Sequence, residues 1–320
     1  MAALPRPRHG RHAARAGGAV ARRWPLRRLA AVVTAAVGAG VLLYPSAAAW
    51  ATDRVHATAV SGYVSTVDAI PADARDAMLE AARAYNENLP AGPLRDPYAL
   101  GTDGRQTAVG SGAQTYFDTL DVDGRGTMAR LRIPEIDVDL PIYHGTDEAT
   151  LARGVGHLYG SALPVGGEGT HTVLTGHSGM VNATLFDHVR DLREGDEITV
   201  TVLDEVLTYR VDQILTVEPD DTEALRPVEG KDYLTLVTCT PIGVNTHRLL
   251  VRAERVETPA AAAATTTVAP AAQGPGFPWW AVGFAGIVGG AVLLTRPRPA
   301  RAPAAAGRRR TGGPTPAPAV

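Results

Sequence analysis

A mainly β domain is expected over residues 127–256, with helical and membrane-crossing segments on either side of it. Three observations predict this. Short runs at 128–133, 138–143, 170–175, 197–202, 206–217, 234–238 and 248–255 show alternating or β-branched patterning. Turn signals such as Gly195-Asp196 and Pro219-Asp220-Asp221 separate them. Only two brief helical turns fit, at 147–153 and 183–189. Seven or eight short strands with so little helix predict a small closed barrel or a sandwich.

The flanking segments are read from the N-terminus. Residues 1–28 carry eight arginines and no acid. Residues 29–50 are apolar and uncharged, long enough at about 1.5 Å per residue to cross a hydrocarbon core of about 30 Å. Ala47-Ala48-Ala49 leaves a cleaved signal peptide open as an alternative, but the run is longer than a signal core of about 7–15 residues, which favours an uncleaved anchor. Residues 51–90 read as a helical extension: Pro71 stands where a helix can begin, apolar residues recur at helical spacing over 72–88, and 89–93 (Leu-Pro-Ala-Gly-Pro) ends the pattern. The polar, Gly-rich stretch 91–126 reads as an irregular surface segment.

Beyond the β domain, 257–276 is a Pro/Ala/Thr linker and 277–295 a second apolar segment opening on Trp279-Trp280. An Arg/Pro-rich tail, expected to be disordered, fills 296–320. Net charge is only −2, yet fourteen of the 31 basic residues lie in the two ends. The middle is therefore strongly acidic, which argues against a nucleic-acid partner. Arg-rich ends are retained on the cytoplasmic side. The expected topology is two-pass, with both termini cytoplasmic and the β domain outside.

Three local motifs can carry chemistry. Leu234-Thr235-Leu236-Val237-Thr238-Cys239-Thr240-Pro241 is a β-run that ends at the sole cysteine, so no intrachain disulfide is possible. Val173-Leu174-Thr175-Gly176-His177 is a β-run that ends at a titratable residue. Asn245-Thr246-His247-Arg248 opens the last strand with a cation. Cys239 and Arg248 are nine residues apart with Gly243 between them, a spacing that suits adjacent strands and side chains at one sheet end. A thiolate nucleophile, an imidazole that moves a proton and a guanidinium beside an oxyanion form a workable set for acyl transfer. Taken singly, each residue has another reading: a lone cysteine as a small buried hydrophobe, His177 as one of nine histidines, Arg248 as a surface ion pair. His144, His157, His171 and His177 show no paired spacing for a metal, and no cofactor is implied.

At these residues the chain resembles the sortases. Thr235 to Cys239, the downstream Arg248 and Leu174-Thr175-Gly176-His177 look like the family signature, and the resemblance covers 127–256. The run from Thr238 through Arg252 looks like the pilus-assembling class C members. So do the second apolar segment, the helical extension and Asp96-Pro97-Tyr98, which matches the motif of a lid that plugs the site. Tyr98 stands where Trp or Phe is frequent, Ile242 where an aromatic often follows Thr-Pro, and Ser178 where a basic residue often follows the histidine.

The resemblance implies an eight-stranded sortase-type β-barrel. It implies attack by Cys239 on the Thr–Gly bond of an LPXTG-like sorting signal, with His177 as general acid and base and Arg248 as oxyanion stabiliser. The implied acceptor is a lysine amine of another pilin subunit, or a peptidoglycan-precursor amine if the protein anchors surface proteins instead. A non-enzymatic, membrane-tethered binding domain is the remaining alternative. The resting site would be covered by Asp96, Pro97 and Tyr98.

Overall fold

The computed structural model describes residues 26–89, Leu94, Asp96, Tyr98, 113–259 and 274–296. By their internal contacts the described residues form two units, one within 1–41 and 283–320, the other within 42–282.

The N-terminal helix α1 (Leu26–Ala69) is 44 residues long, with a stretch of mean hydropathy 1.8. It is the one helix among the described residues long and apolar enough to cross a membrane. Leu29, Val33, Val37, Val41 and Leu42 are exposed along it. The expected boundary at residue 50 is not a break, because the segment from Ala51 to Ala69 contains no proline and continues the same helix. The last helix, α5 (Trp279–Leu294), has 16 residues. At about 1.5 Å per residue it is shorter than the expected segment 277–295 and than a typical hydrocarbon core.

Helix α2 (Ala72–Glu87) begins directly after Pro71, whose φ of −56° suits the position. Leu79 and Ala82 of α2, with Tyr63 and Val67 of α1, are buried against the barrel. Tyr63 is the tie-point: its hydroxyl donates to the Met128 carbonyl at 3.1 Å and accepts from the Leu203 N–H at 2.7 Å. A short helix α3 (Gln114–Asp118) buries Tyr116.

The β domain is a closed barrel of eight strands: β1 (Thr127–Ile133), β2 (Val138–His144), β3 (Val155–His157), β4 (Thr170–Thr175), β5 (Glu197–Val202), β6 (Glu205–Val217), β7 (Asp232–Thr240) and β8 (His247–Val256). Around the barrel the order is β1-β2-β3-β4-β7-β8-β6-β5. Closure removes the exposed sheet edge. Pairings are antiparallel except β2–β3 and β4–β7. Inward residues such as Ile198, Val200 and Val202 of β5 form the core and alternate with partly exposed ones.

Of the two open β architectures, the barrel is the one observed. Strand β3 was not among the expected runs. The turn at 147–153 appears as helix α4 (Glu148–Leu151), capped by Asp147, whose carboxylate accepts from the Thr150 N–H at 3.0 Å. Residues 183–189 form successive i→i+3 turns rather than a regular helix, with the Asp187 N–H on the Thr184 carbonyl at 2.8 Å and the Val189 N–H on the Phe186 carbonyl at 3.2 Å, and lead into a 3-10 turn at Val189–Asp191. Leu185 has φ +30° and the Phe186 N–H returns to the His177 carbonyl at 3.0 Å, so the chain folds back on itself.

Candidate active site

Strands β7 and β8 are antiparallel neighbours, and their register sets Cys239 directly opposite Arg248. The connection between them turns through Gly243 and Asn245, both at positive φ (79° and 60°). Glycine and asparagine tolerate that conformation. On the other side of β7, β4 runs parallel in a register that puts Thr175 beside Val237. The segment after β4 extends the contact. The Gly176 N–H donates to the Val237 carbonyl at 3.1 Å. The Thr238 hydroxyl donates to the Gly176 carbonyl at 2.8 Å, and the Ser178 hydroxyl to the Cys239 carbonyl at 2.9 Å. His177 is thus fixed on both sides by bonds to β7. Gly176 must be glycine, since a Cβ there would lie 2.7 Å from the Phe186 ring.

Arg248 is nearly buried at 8% exposure. Its Nε and Nη2 donate to the two carboxylate oxygens of Asp96 at 2.8 and 2.7 Å, and Nη1 to the carbonyls of Asn245 and His247, each at 3.2 Å. Tyr98 lies between the sequence-predicted residues. Its ring centroid is 5.6 Å from that of His177 and 5.0 Å from the Arg248 Cζ, and its hydroxyl donates to the Gly176 carbonyl at 2.6 Å. The Tyr98 N–H donates to Asp96 Oδ1 at 3.4 Å. Leu94 and Tyr98 also pack on an apolar floor of Leu158, Val173, Leu225, Val237 and Leu250. Pro97, the middle residue of the expected motif, lies outside the described residues.

The electrostatics match a covered site. Burial pushes the Cys239 thiol above its ordinary range, Arg248 pulls it back and Asp96 raises it further. Burial lowers the His177 imidazole, partly opposed by Glu148. Tyr98 is raised strongly, first by burial and next by the neighbouring Cys239. Both shifts favour the uncharged forms of thiol and imidazole, and no hydrogen bond joins the two side chains among the described residues. With Asp96 withdrawn, two N–H vectors of Arg248 would point into the site, a geometry suited to an oxyanion.

The other three histidines weighed for a metal are structural. His144 bonds the Gly126 and Thr119 carbonyls, His157 the Tyr116 hydroxyl and the Ala162 carbonyl, and His171 the Thr235 hydroxyl and the Arg226 carbonyl. Among the described residues no group of three or more His, Cys, Asp or Glu is arranged to hold a metal ion. Sequence reasoning missed Thr238 and Phe186 as supports of the histidine. For Thr238 the available signal was a hydroxyl directly before the cysteine on the strand.

The sortase-domain profile matches residues 131–256. Sortase C-1 of Actinomyces oris is 47% identical, with 58% of this chain and 99% of that chain covered at a TM-score of 0.55. The chain belongs to the sortase family. The pilus-related sortase C of group B Streptococcus is 38% identical over 60% of this sortase and 94% of that chain, at a TM-score of 0.54. Sortase D of Bacillus subtilis is 33% identical over 129 residues, 39% of this chain. The match spans 62% of that relative's length, a little under two thirds. His177, Cys239 and Arg248 fall within the matched residues 131–256, while the segment bearing Asp96 and Tyr98 lies N-terminal to them.

Proposed function

We propose that the protein is a cysteine transpeptidase that links pilin subunits, with Cys239 as nucleophile, His177 as general acid and base, and Arg248 as oxyanion stabiliser. The observation that carries this reading is the register pair Cys239–Arg248, flanked by His177 and covered by Asp96 and Tyr98.

The Cys239 sulfur, as thiolate, adds to the threonine carbonyl of an LPXTG-like sorting signal. The oxyanion so formed is held by the Arg248 guanidinium, which keeps its own proton. The C–N bond breaks as the His177 imidazolium gives its proton to the departing glycine amine, leaving a thioester on Cys239. A lysine amine of a second pilin then attacks. His177 takes the amine's proton, the C–S bond breaks, and an isopeptide bond remains. Asp96 and Tyr98 act as a lid: they occupy Arg248 and screen His177 until a substrate displaces them. The covered site and the likeness to a pilus-related sortase C favour a pilin amine over a peptidoglycan precursor.

Anchoring is proposed through α1 and α5, with both ends in the cytoplasm and the barrel outside. The Arg-rich ends and the acidic middle support it.

The test is Cys239→Ala in cells that make the cognate pilin. Covalent polymers should vanish while the protein stays folded and membrane-bound. Polymers that persist would sink the proposal, and mass spectrometry of the wild-type linkage identifies the acceptor amine.

A further inference from the structure

The loop that follows His177 reaches the helix that leaves the membrane. The Thr52 hydroxyl of α1 donates to the Asn182 carbonyl at 2.7 Å. Thr52 is two residues beyond the end of the apolar run 29–50, about 3 Å along the axis. Just before it, Trp50 donates its indole N–H to the Gly276 carbonyl at 2.8 Å and packs edge-on against Trp280 at 6.3 Å. Arg54 lies over the Trp50 ring at 5.4 Å. Two tryptophans and an arginine at this level are the side chains that settle at a bilayer interface. The headgroup layer is roughly 5–8 Å deep on each side of the hydrocarbon core, so Thr52 and Asn182 fall within it.

Close to Asn182, aliphatic side chains stand exposed among the described residues. Val181 is 64% exposed, and Val244 in the β7–β8 connection is likewise 64% exposed. Ile242, 37% exposed, sits against Gly179 so closely that a Cβ on the glycine would fall on its Cγ2 atom. The loop after His177 and the loop after Cys239 therefore touch, and each presents a large aliphatic side chain to the outside.

We infer that these two loops form a membrane-seated rim: Val181, Ile242 and Val244 enter the lipid headgroup region, so that the site opens at the bilayer surface. The inference rests on the membrane anchoring proposed above. It commits to lipid because the rim is continuous, through Thr52 and Asn182, with the point where the chain leaves the apolar phase. Burial of exposed aliphatic side chains at the acyl boundary supplies the driving force. An acyl donor or acceptor held in the same membrane would then meet Cys239 without leaving its surface.

The experiment uses the full chain with Cys239→Ala, which removes the only native thiol. Single cysteines are placed by Val181→Cys, Val244→Cys, Leu42→Cys and Glu229→Cys, all at exposed positions. Glu229 lies before the start of β7, at the strand end away from Cys239, and Leu42 lies within the apolar run. Each is labelled with an environment-sensitive fluorophore in liposomes of phosphatidylglycerol and phosphatidylethanolamine carrying a headgroup-attached nitroxide. Labels at 181 and 244 should be blue-shifted and quenched severalfold more than the label at 229. Equal quenching at 181, 244 and 229, with the label at 42 still in an apolar environment, overturns the inference. If the label at 42 is also in water, the anchoring itself is wrong and the inference falls with it.

Discussion

Asp96 and Arg248, 152 residues apart, meet through two parallel charge-assisted hydrogen bonds of 2.8 and 2.7 Å, with both side chains about nine-tenths buried. The pair has two effects on Cys239. The carboxylate raises the thiol directly, and it engages the guanidinium that would otherwise favour the thiolate. Asp96→Asn should therefore shift the midpoint of the alkylation rate against pH to lower pH. An unchanged midpoint would mean that Asp96 does not control the thiol.

Tyr98 closes the site through packing and one short bond. Tyr98→Phe keeps the ring over His177 but loses the 2.6 Å bond to the Gly176 carbonyl, which retains its Thr238 donor. A neutral hydrogen bond is worth about 0.5–1.5 kcal/mol, so labelling of Cys239 should speed up roughly twofold to tenfold. Asp96→Ala combined with Tyr98→Ala should speed it further. Labelling no faster in the double variant than in the wild type would show that this segment is not a cover.

Arg248→Lys keeps the charge but not the planar fork that also bonds the Asn245 and His247 carbonyls. Loss of one oxyanion donor commonly costs about 10²–10³ in rate, so transpeptidation should fall by about that factor, with some loss of melting temperature because the buried bonds to Asp96 and the two carbonyls are weakened as well. A lysine variant with wild-type turnover would remove Arg248 from the proposed mechanism.

Acid should destabilise the barrel through two buried histidines. His157 and His171 are each lowered to about 4, chiefly by burial, from an ordinary value of 6.5. The unfolded chain binds more protons between those limits, so their contribution is intact above pH 6.5 and is lost as pH falls towards 4. At about 1.4 kcal/mol per unit, each accounts for roughly 3 kcal/mol. Urea melts from pH 7 to pH 4 would show the decline, and His157→Gln should make it shallower. A flat profile would contradict the assignment.

Gly176→Ala places a methyl group against Phe186. Overpacking of this kind costs about 1–3 kcal/mol, and here the backbone of the histidine segment must shift to relieve it. Stability and activity should drop together. Phe186→Leu should restore part of both, and failure of that rescue would place the clash elsewhere.

The pairing of Cys239 with Arg248 was legible because a strand, a glycine-bearing turn and a second strand within nine residues leave few registers. His177 was not placed by local reading, since its neighbour β7 is a parallel partner 62 residues away and no short-range pattern encodes such a contact. The family resemblance supplied it. β3 went unread because three residues cannot show alternation, and its identity as a strand comes only from pairing with β2 and β4. That the apolar segment and the helical extension form one continuous α1 was not legible either: the change from apolar to more polar composition at Trp50 leaves the backbone hydrogen bonds uninterrupted.

The parallel pairing of β4 with β7 has a temporal side. Antiparallel neighbours joined by short turns, such as β5–β6 and β7–β8, are local in sequence, whereas β4 and β7 are separated by the whole of β5 and β6, and pairings of such long sequence separation carry the larger loop-closure cost. His177 and Cys239 become neighbours only through that long-range pairing. The thiol thus gains its imidazole neighbour only once a contact between distant parts of the chain has formed, and chemical competence depends on the completed barrel.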